Sequence, residues 1–213
     1  RINDFLADNK GQTPQSVYNG HKDIATVPSL EVFIHVGEEG FGVVGHVDLS
    51  YKGRVYGYGS YDVLSERLGG AIGDGVLFKA ERQAYIDFCT QEGMTILGYQ
   101  MVLSPEQEAA IEERLDEIDK LLVPWNPSSE KVSKTADGQA IEMYAYRIKE
   151  EIGAELFKFR KSKFKTYFVL STNCVLLADS VIGQAGTDIL GIRGFIAPGT
   201  YQTYLDQEYE KPH

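Results

Sequence analysis

Alternating apolar and polar residues mark several short β-strands along the chain. Residues 30–36 are rich in β-branched and aromatic types, and residues 43–59 alternate on both sides of Lys52-Gly53. A lysine-glycine pair between two such runs is a turn signal, so the second segment predicts a β-hairpin. Further strands are predicted at residues 76–78, 94–103, 156–159 and 164–170.

Helical patterns lie between these strands. Residues 81–90 predict a first helix. Ser104, Pro105 and Gln107 predict the start of a second, because serine suits the N-cap, proline the first turn, and glutamine completes a capping box. Residues 175–182 predict a third, strongly apolar helix.

The strands and helices mix without a regular βαβ rhythm. This mixture indicates an α+β fold in which an antiparallel sheet packs against helices. Two aromatic pairs, Tyr144/Tyr146 and Phe157/Phe159, are interpreted as alternating core positions of strands.

The length of the chain suits one domain. Its 213 residues are expected to form a single domain, 1–213, whose core spans about residues 28–200. Residues 124–138 are rich in proline, serine and lysine and predict a loop insertion in that core.

Composition excludes several classes of function. The net charge of −10 leaves no broad basic face, so nucleic acid is a poor partner. No apolar run approaches the roughly 20 residues that span a bilayer, so membrane contact is expected to be peripheral at most. Nucleotide-binding and zinc-ligand motifs are missing, so neither a metal nor an organic cofactor is expected. Two cysteines do not make a disulfide scaffold, which leaves two alternatives open, a single disulfide and a reactive thiol.

Cys174 lies where a cysteine nucleophile is expected. It follows Ser171, Thr172 and Asn173, all good N-cap types, and begins the apolar helix. In the first turn, unpaired N–H groups and the helix dipole stabilise a thiolate and can bind an oxyanion. The alternative is a buried structural cysteine, which is the role we expect for Cys89, late in its predicted helix.

A thiol nucleophile needs a base, and His46 is the best placed of the four histidines. It lies on the first strand of the predicted hairpin, where alternation puts Asp48 and Ser50 on the same face. By contrast, His35 lies in the middle of a predicted strand and is expected to be uninvolved. We therefore predict that His46 takes the proton of the thiol.

A third group should orient the imidazole. Pairing across the hairpin turn places His46 opposite Gly59, so Tyr58 and Ser60 flank it and Asp62 follows. Asp62 is the only carboxylate of the three and is predicted to orient the ring, unless a bulge turns Tyr58 or Ser60 toward it. The residues expected to bind substrate beside these groups are Tyr58, Ser60 and Asn173.

Three segments carry a resemblance to a known family. They are Val-Gly-His at 44–46, Tyr-Gly-Tyr-Gly-Ser-Tyr-Asp at 56–62 and Asn-Cys-Val at 173–175. In this order they resemble the permuted NlpC-like branch of the papain superfamily and, more closely, the bacterial Lnb N-terminal periplasmic domain family. That family has Phe-Gly-His, Tyr-Asn-Tyr-Gly-Thr-Phe-Asp and Asn-Cys-Thr at these places. Gly57 therefore replaces its asparagine, and Val175 replaces its threonine.

The resemblance covers about residues 30–185 and implies both a fold and a reaction. The implied fold is a circularly permuted, papain-like (NlpC-like) one, with Cys174 and His46 as the catalytic pair. The implied function is that of a cell-envelope cysteine amidase or peptidase that acts on a peptidoglycan peptide. Two alternatives stay open. One is an acyltransferase or thioesterase that uses the same residues on a lipid acyl substrate, and the other is an envelope binding module with a degenerate site.

Overall fold

The computed structural model describes residues 16–18, 29–36, 46–101, 103–134, 137–168 and 173–182. Their strands, in chain order, are β1 (Ser16–Tyr18), β2 (Leu30–Val36), β3 (His46–Tyr51), β4 (Arg54–Gly59), β5 (Ile72–Asp74), β6 (Val76–Glu81), β7 (Thr95–Met101), β8 (Leu122–Pro124), β9 (Ser133–Lys134), β10 (Ala140–Ile141), β11 (Glu155–Phe159) and β12 (Thr166–Phe168). The helices are α1 (Arg82–Gln91), α2 (Pro105–Asp119), α3 (Tyr144–Ile152) and α4 (Asn173–Ile182).

A large antiparallel sheet is the centre of the fold. Eight strands pair in the order β1-β7-β2-β3-β4-β6-β11-β8, and each neighbouring pair is antiparallel. Two short ladders, β9 with β10 and β5 with β12, stand beside it. The predicted α+β class, with an antiparallel sheet and helices, is confirmed at this level.

Helices cover both faces of the sheet. One hydrophobic cluster joins side chains such as Val32 and Leu49 to α2 and α4, and we name this side the α2/α4 face. A second cluster joins Phe33, Val55 and Phe78 to α1 and α3, and we name this side the α1/α3 face. Because side chains alternate along a strand, neighbouring residues of β2 and β3 lie on opposite faces.

The hairpin that carries His46 has the predicted register. Lys52 and Gly53 both have positive φ, 46° and 81°, as the tight turn between two strands requires. Leu49 pairs with Tyr56, so the ladder follows the pairing that the turn predicts. The register therefore sets the end of β4 beside the start of β3.

Local signals also place the helices. The capping box predicted at Ser104 forms, with Ser104 Oγ accepting from the Gln107 backbone and the Gln107 side chain accepting from the Ser104 backbone. The Glu81 carboxylate accepts from the backbone N–H groups of Gln83 and Ala84 and caps α1 in the same way. Such caps satisfy N–H groups that the first turn leaves without partners.

The interpretation of Tyr144 and Tyr146 as strand residues is wrong. Tyr144 and Tyr146 belong to the helix α3 rather than to a strand. The two tyrosines are two residues apart, which is the spacing of one strand face. The buried positions of this segment, Ala145 and Ile148, are three residues apart, which is a helical spacing. Gly153 then ends the helix in the left-handed conformation, with φ 68°.

The predicted insertion, 124–138, has little regular structure. Its last residues enter the β9–β10 hairpin, and Trp125 and Val132 pack against the core of the α1/α3 face. Trp125 and Val132 therefore fix the loop to the domain by packing on its core. None of the helices in the described part of the chain is long and apolar enough to cross a bilayer.

Candidate functional site

Asp48 on β3 is the centre of a polar cluster on the α1/α3 face. Its carboxylate is fully buried. Oδ1 lies 2.8 Å from Nε2 of His46, and Oδ2 lies 2.8 Å from Nε2 of His35. The hydroxyl of Tyr85 donates to Oδ2 at 2.5 Å. Donors from β2, β3 and α1 therefore meet on one carboxylate.

Strand geometry brings these groups together. His46 and Asp48 are two residues apart on β3, so their side chains share a face. The β2–β3 register pairs His35 directly with His46, and the two rings lie 5.4 Å apart between centroids. Tyr85 reaches the same carboxylate from α1, which packs on this face.

The Asp48 carboxylate is held in its ionised form. Burial alone would favour the neutral acid, but the charge and hydrogen bonds of His46 and His35 outweigh that effect. Together they hold the pKa of Asp48 well below its usual range. A buried carboxylate is stable only with such partners, so the cluster depends on both histidines.

The ionised Asp48 fixes the tautomer of His46. A carboxylate can only accept hydrogen bonds, so Nε2 of His46 must carry the hydrogen that points at Oδ1. In the neutral ring the lone pair is then on Nδ1. His46 is thus prepared to accept a proton at Nδ1 rather than at Nε2.

Tyr61 is a second neighbour of the His46 ring. Its hydroxyl oxygen lies 2.8 Å from Nε2. The Tyr61 ring stacks on Tyr144, with 5.3 Å between centroids, and also packs on Phe78. These contacts hold the hydroxyl beside the histidine, on the segment that follows β4.

The phenols around the carboxylate stay neutral. Burial raises the pKa of Tyr85 well above its ordinary value, and the charge of Asp48 raises it further. The pKa of Tyr144 is raised in the same direction, again chiefly by burial. Tyr85 is therefore a hydrogen-bond donor to Asp48 at all ordinary pH values.

Asp62, the predicted orienting group, lies with a different partner. Its carboxylate accepts from Nζ of Lys158 at 2.6 Å, and the same ammonium contacts Asp74 at 2.8 Å. The prediction assumed that strand alternation continues to residue 62, but β4 ends at Gly59. In the described structure, the carboxylate that contacts His46 belongs to Asp48.

Tyr58 and Ser60 lie away from the ring of His46. Tyr58 is buried on the α2/α4 face, where its hydroxyl donates to the carbonyl of Phe164 at 2.7 Å. The buried Oγ of Ser60 lies against Gly73 of β5 and has no hydrogen-bond partner within the described part of the chain. That both bind substrate stays a prediction.

The backbone of α4 confirms the predicted helix start. The helix begins at Asn173, so Cys174 lies in its first turn. Only the backbone of these two residues is described, not the side chains. Further along, Leu177 and Val181 pack on the α2/α4 face, across the sheet from the His46 ring. Because α4 and the His46 ring lie on opposite faces, Cys174 and His46 can meet only beyond an end of the sheet.

The chain length between β12 and α4 allows the start of α4 to lie near that end. His46 is the first residue of β3, and Gly59, the last residue of β4, pairs with Val76 at the same end. The β5–β12 ladder continues from there, since Gly75 donates to the Lys165 carbonyl. Only five residue steps separate β12 from α4, a reach of about 18 Å.

Cys89 is a buried core residue, as the sequence predicts. It has no exposed surface, it is a free thiol, and it lies in the core of the α1/α3 face. Burial raises the pKa of its thiol to about 12. At neutral pH this thiol stays protonated, so it is a poor nucleophile.

Gly57 leaves room for the Asp48 carboxylate. A Cβ atom at this position would collide with the ring of Phe78 and would lie 2.8 Å from Oδ1 of Asp48. The side chain of any other residue at position 57 would thus compete with Asp48 for its place.

Four side chains of this cluster, those of Asp48, His35, Tyr85 and Tyr61, are not among the predicted site residues. For Asp48 the sequence carries a signal, because alternation along β3 puts it on the same strand face as His46. No group of three or more His, Cys, Asp or Glu side chains among the described residues is arranged to hold a metal ion.

In comparisons with known proteins, no family model, no curated protein and no solved structure matches the chain.

Proposed function

We propose that the protein is a cysteine amidase or peptidase of the cell envelope, with Cys174 as nucleophile, His46 as base and Asp48 as the group that orients the base. The observation that carries this proposal is the hydrogen bond between His46 and the fully buried carboxylate of Asp48. A histidine fixed in one tautomer by an ionised carboxylate is the arrangement that nucleophilic acyl transfer uses.

The reaction follows from the tautomer of His46. Nδ1 takes the proton of the Cys174 thiol, and the thiolate attacks the carbonyl carbon of the substrate. When the tetrahedral intermediate collapses, the same proton passes to the leaving amine and the acyl group stays on sulfur. Water, deprotonated at Nδ1, then attacks the thioester and releases the acid and the thiol.

The start of α4 supplies the remaining requirement. Backbone N–H groups in the first turn are not used within the helix, so they can bind the oxyanion of the tetrahedral intermediate. The helix dipole also favours the thiolate over the thiol. The proposal requires that the first turn of α4 reaches past the end of β3 to the ring of His46.

The resemblance supports the choice of substrate class. In the Lnb N-terminal domain family an asparagine stands where this chain has Gly57. Here Asp48 lies where that side chain would begin, so we infer that its carboxylate takes over the position next to the imidazole. With the orienting group retained in a different form, hydrolysis of peptidoglycan peptides at the envelope is the function we favour over a degenerate binding module.

Substrate cleavage with two cysteine variants tests this proposal. The parent chain, Cys174→Ala and Cys89→Ala are incubated with peptidoglycan stem-peptide fragments and, separately, with phospholipid vesicles. We expect release of a new amine from the peptides by the parent and by Cys89→Ala, and none by Cys174→Ala. Mass spectrometry should show the acyl adduct on the peptide that contains Cys174.

Each of three other outcomes would contradict one part of the proposed function. Release of fatty acid from the vesicles without peptide cleavage would favour the lipid-directed acyltransferase or thioesterase. Equal activity of Cys174→Ala and the parent would exclude Cys174 as the nucleophile. Labelling of neither cysteine by iodoacetamide at neutral pH would favour the binding module, because an activated thiol reacts under those conditions.

A further inference from the structure

The two oxygens of the Asp48 carboxylate have different partners. Oδ1 faces the base, His46, at 2.8 Å. Oδ2 accepts from His35 on β2 at 2.8 Å and from Tyr85 on α1 at 2.5 Å. Neither His35 nor Tyr85 has a part in the proposed reaction, yet both bind the group that orients the base.

We propose that His35 and Tyr85 are positioning residues, which bind Oδ2 of Asp48 and thereby limit how strongly its carboxylate stabilises the imidazolium of His46. The inference rests on the proposed function only in taking His46 as the base. Two donors on Oδ2 leave the carboxylate one orientation, with Oδ1 toward His46. A carboxylate that accepts several hydrogen bonds also attracts each further proton less strongly.

The burial of the three residues supports a role in positioning. Asp48 and Tyr85 are fully buried, and His35 is only 8% exposed, so water does not replace a lost hydrogen bond to Oδ2. The side chain of His46 is more exposed, at 26%. The cluster thus has a rigid inner part and one member that can meet a substrate.

The titratable groups around this carboxylate come from each element packed against it. Among the described residues they are His35 on β2, His46 on β3, Tyr61 after β4, Tyr85 and Cys89 on α1, and Tyr144 on α3. The buried ion pair of Glu31 on β2 with Arg82 on α1 lies on the same face of the sheet. Tyr85, Tyr144 and Cys89 stay neutral in the range where histidines titrate. A change in the titration of His46 in this range therefore reports on Asp48, on His35 or on a contact with α4.

The direction in which the titration midpoint of His46 changes follows from the hydrogen bonds to Oδ2 of Asp48. Removing a donor from Oδ2 leaves more negative charge on Oδ1, so the carboxylate stabilises the imidazolium of His46 more strongly. Removing His35 also removes a second ring that can carry positive charge 5.4 Å away. Both changes raise the pH at which His46 titrates.

The titration of His46, followed by NMR through its ring C–H signal, measures this directly. The signal is assigned by its loss in His46→Gln. We expect Tyr85→Phe and His35→Leu each to raise the midpoint by about one pH unit, because each removes a hydrogen bond from the carboxylate that stabilises the imidazolium. The matched variant His35→Gln keeps an N–H donor for Oδ2 and should give a smaller rise.

The outcomes separate this inference from the proposed function. If His35 and Tyr85 merely stabilise the fold, the folded variants lose thermal stability while the midpoint of His46 stays at its parent value, and the proposal is overturned. A lowered midpoint overturns it as well, and Tyr85→Phe decides if His35→Leu does not fold. The Cys174→Ala chain tests the pair with the thiol instead, since its His46 midpoint should change only if Cys174 and His46 interact.

Discussion

Two aspartates near the same end of the sheet show how different surroundings give one residue type different uses. Asp48 is fully buried and binds two imidazoles and a phenol. Asp62 is also largely buried, but its partner is the flexible ammonium of Lys158, which is one-quarter exposed and also binds Asp74. The first carboxylate can fix the tautomer of a base, whereas the second joins β11 to the loop after β4.

The two carboxylates differ in which side chain they bind, since Asp48 contacts the ring of His46 and Asp62 contacts the ammonium of Lys158. Asp62 ends the segment that resembles the family motif, and it is the only carboxylate on the returning side of the hairpin. The chain leaves the ladder after Gly59, so Asp62 points elsewhere. Asp48 lies on the strand of the base itself, two residues away, where alternation guarantees a shared face.

Neutralising each carboxylate in turn separates the two roles most clearly. Asp48→Asn should lower the rate of substrate cleavage by roughly 100-fold or more, because the amide does not fix the Nε2–H tautomer as a carboxylate does. It should also lower the free energy of unfolding by about 3 kcal/mol, since two histidines and Tyr85 lose a buried charged partner. Steady-state kinetics and urea unfolding measure the two effects.

Asp62→Asn is the matched control, with the same chemical change in the same part of the fold. Its ion pair with Lys158 is partly exposed, so the expected loss of stability is about 1 kcal/mol or less. The rate of cleavage should stay within a few-fold of the parent. A larger rate loss in Asp62→Asn than in Asp48→Asn would restore Asp62 as the orienting group.

Crowding at Gly57 gives a second, smaller effect. Gly57→Ala places a methyl group against Phe78 and beside Oδ1 of Asp48, which should cost about 1–3 kcal/mol of unfolding free energy. Because the clash is with the ring, Phe78→Leu should cost less stability in the Gly57→Ala background than in the parent. Additive losses in the double variant would show that the two side chains do not compete for space.

Acid should weaken the fold through Asp48. Its pKa is held below the usual range in the folded protein, so the unfolded chain binds a proton more readily there. The stability that Asp48 contributes is therefore complete at neutral pH, and it decreases as the pH falls below about 5. Urea unfolding from pH 7 to pH 3 should show a steeper loss for the parent than for Asp48→Asn, and parallel curves would contradict this.

Much of the fold follows from local signals. The Lys52-Gly53 turn sets the hairpin register, and the capping box at Ser104 begins α2, because each depends only on residues close in sequence. Tyr144 shows where local spacing misleads, since the two-residue pattern occurs in a helix that ends at Gly153.

The cluster around Asp48 could be predicted only in part. The shared face of His46 and Asp48 follows from strand alternation alone. The contact with His35 needs the register between β2 and β3, and the contact with Tyr85 needs the docking of α1 on the sheet. Neither is encoded in a short stretch of sequence.

The pH dependence of Cys174 alkylation tests the central claim, that Asp48 and His46 activate this thiol. Alkylation by iodoacetamide, followed by peptide mapping, gives the rate at Cys174 separately from that at Cys89. We expect the midpoint of the parent to lie at least about one pH unit below that of His46→Ala, with Asp48→Asn between them and Asp62→Asn at the parent value. Identical profiles in the parent and His46→Ala would show that the pair does not exist.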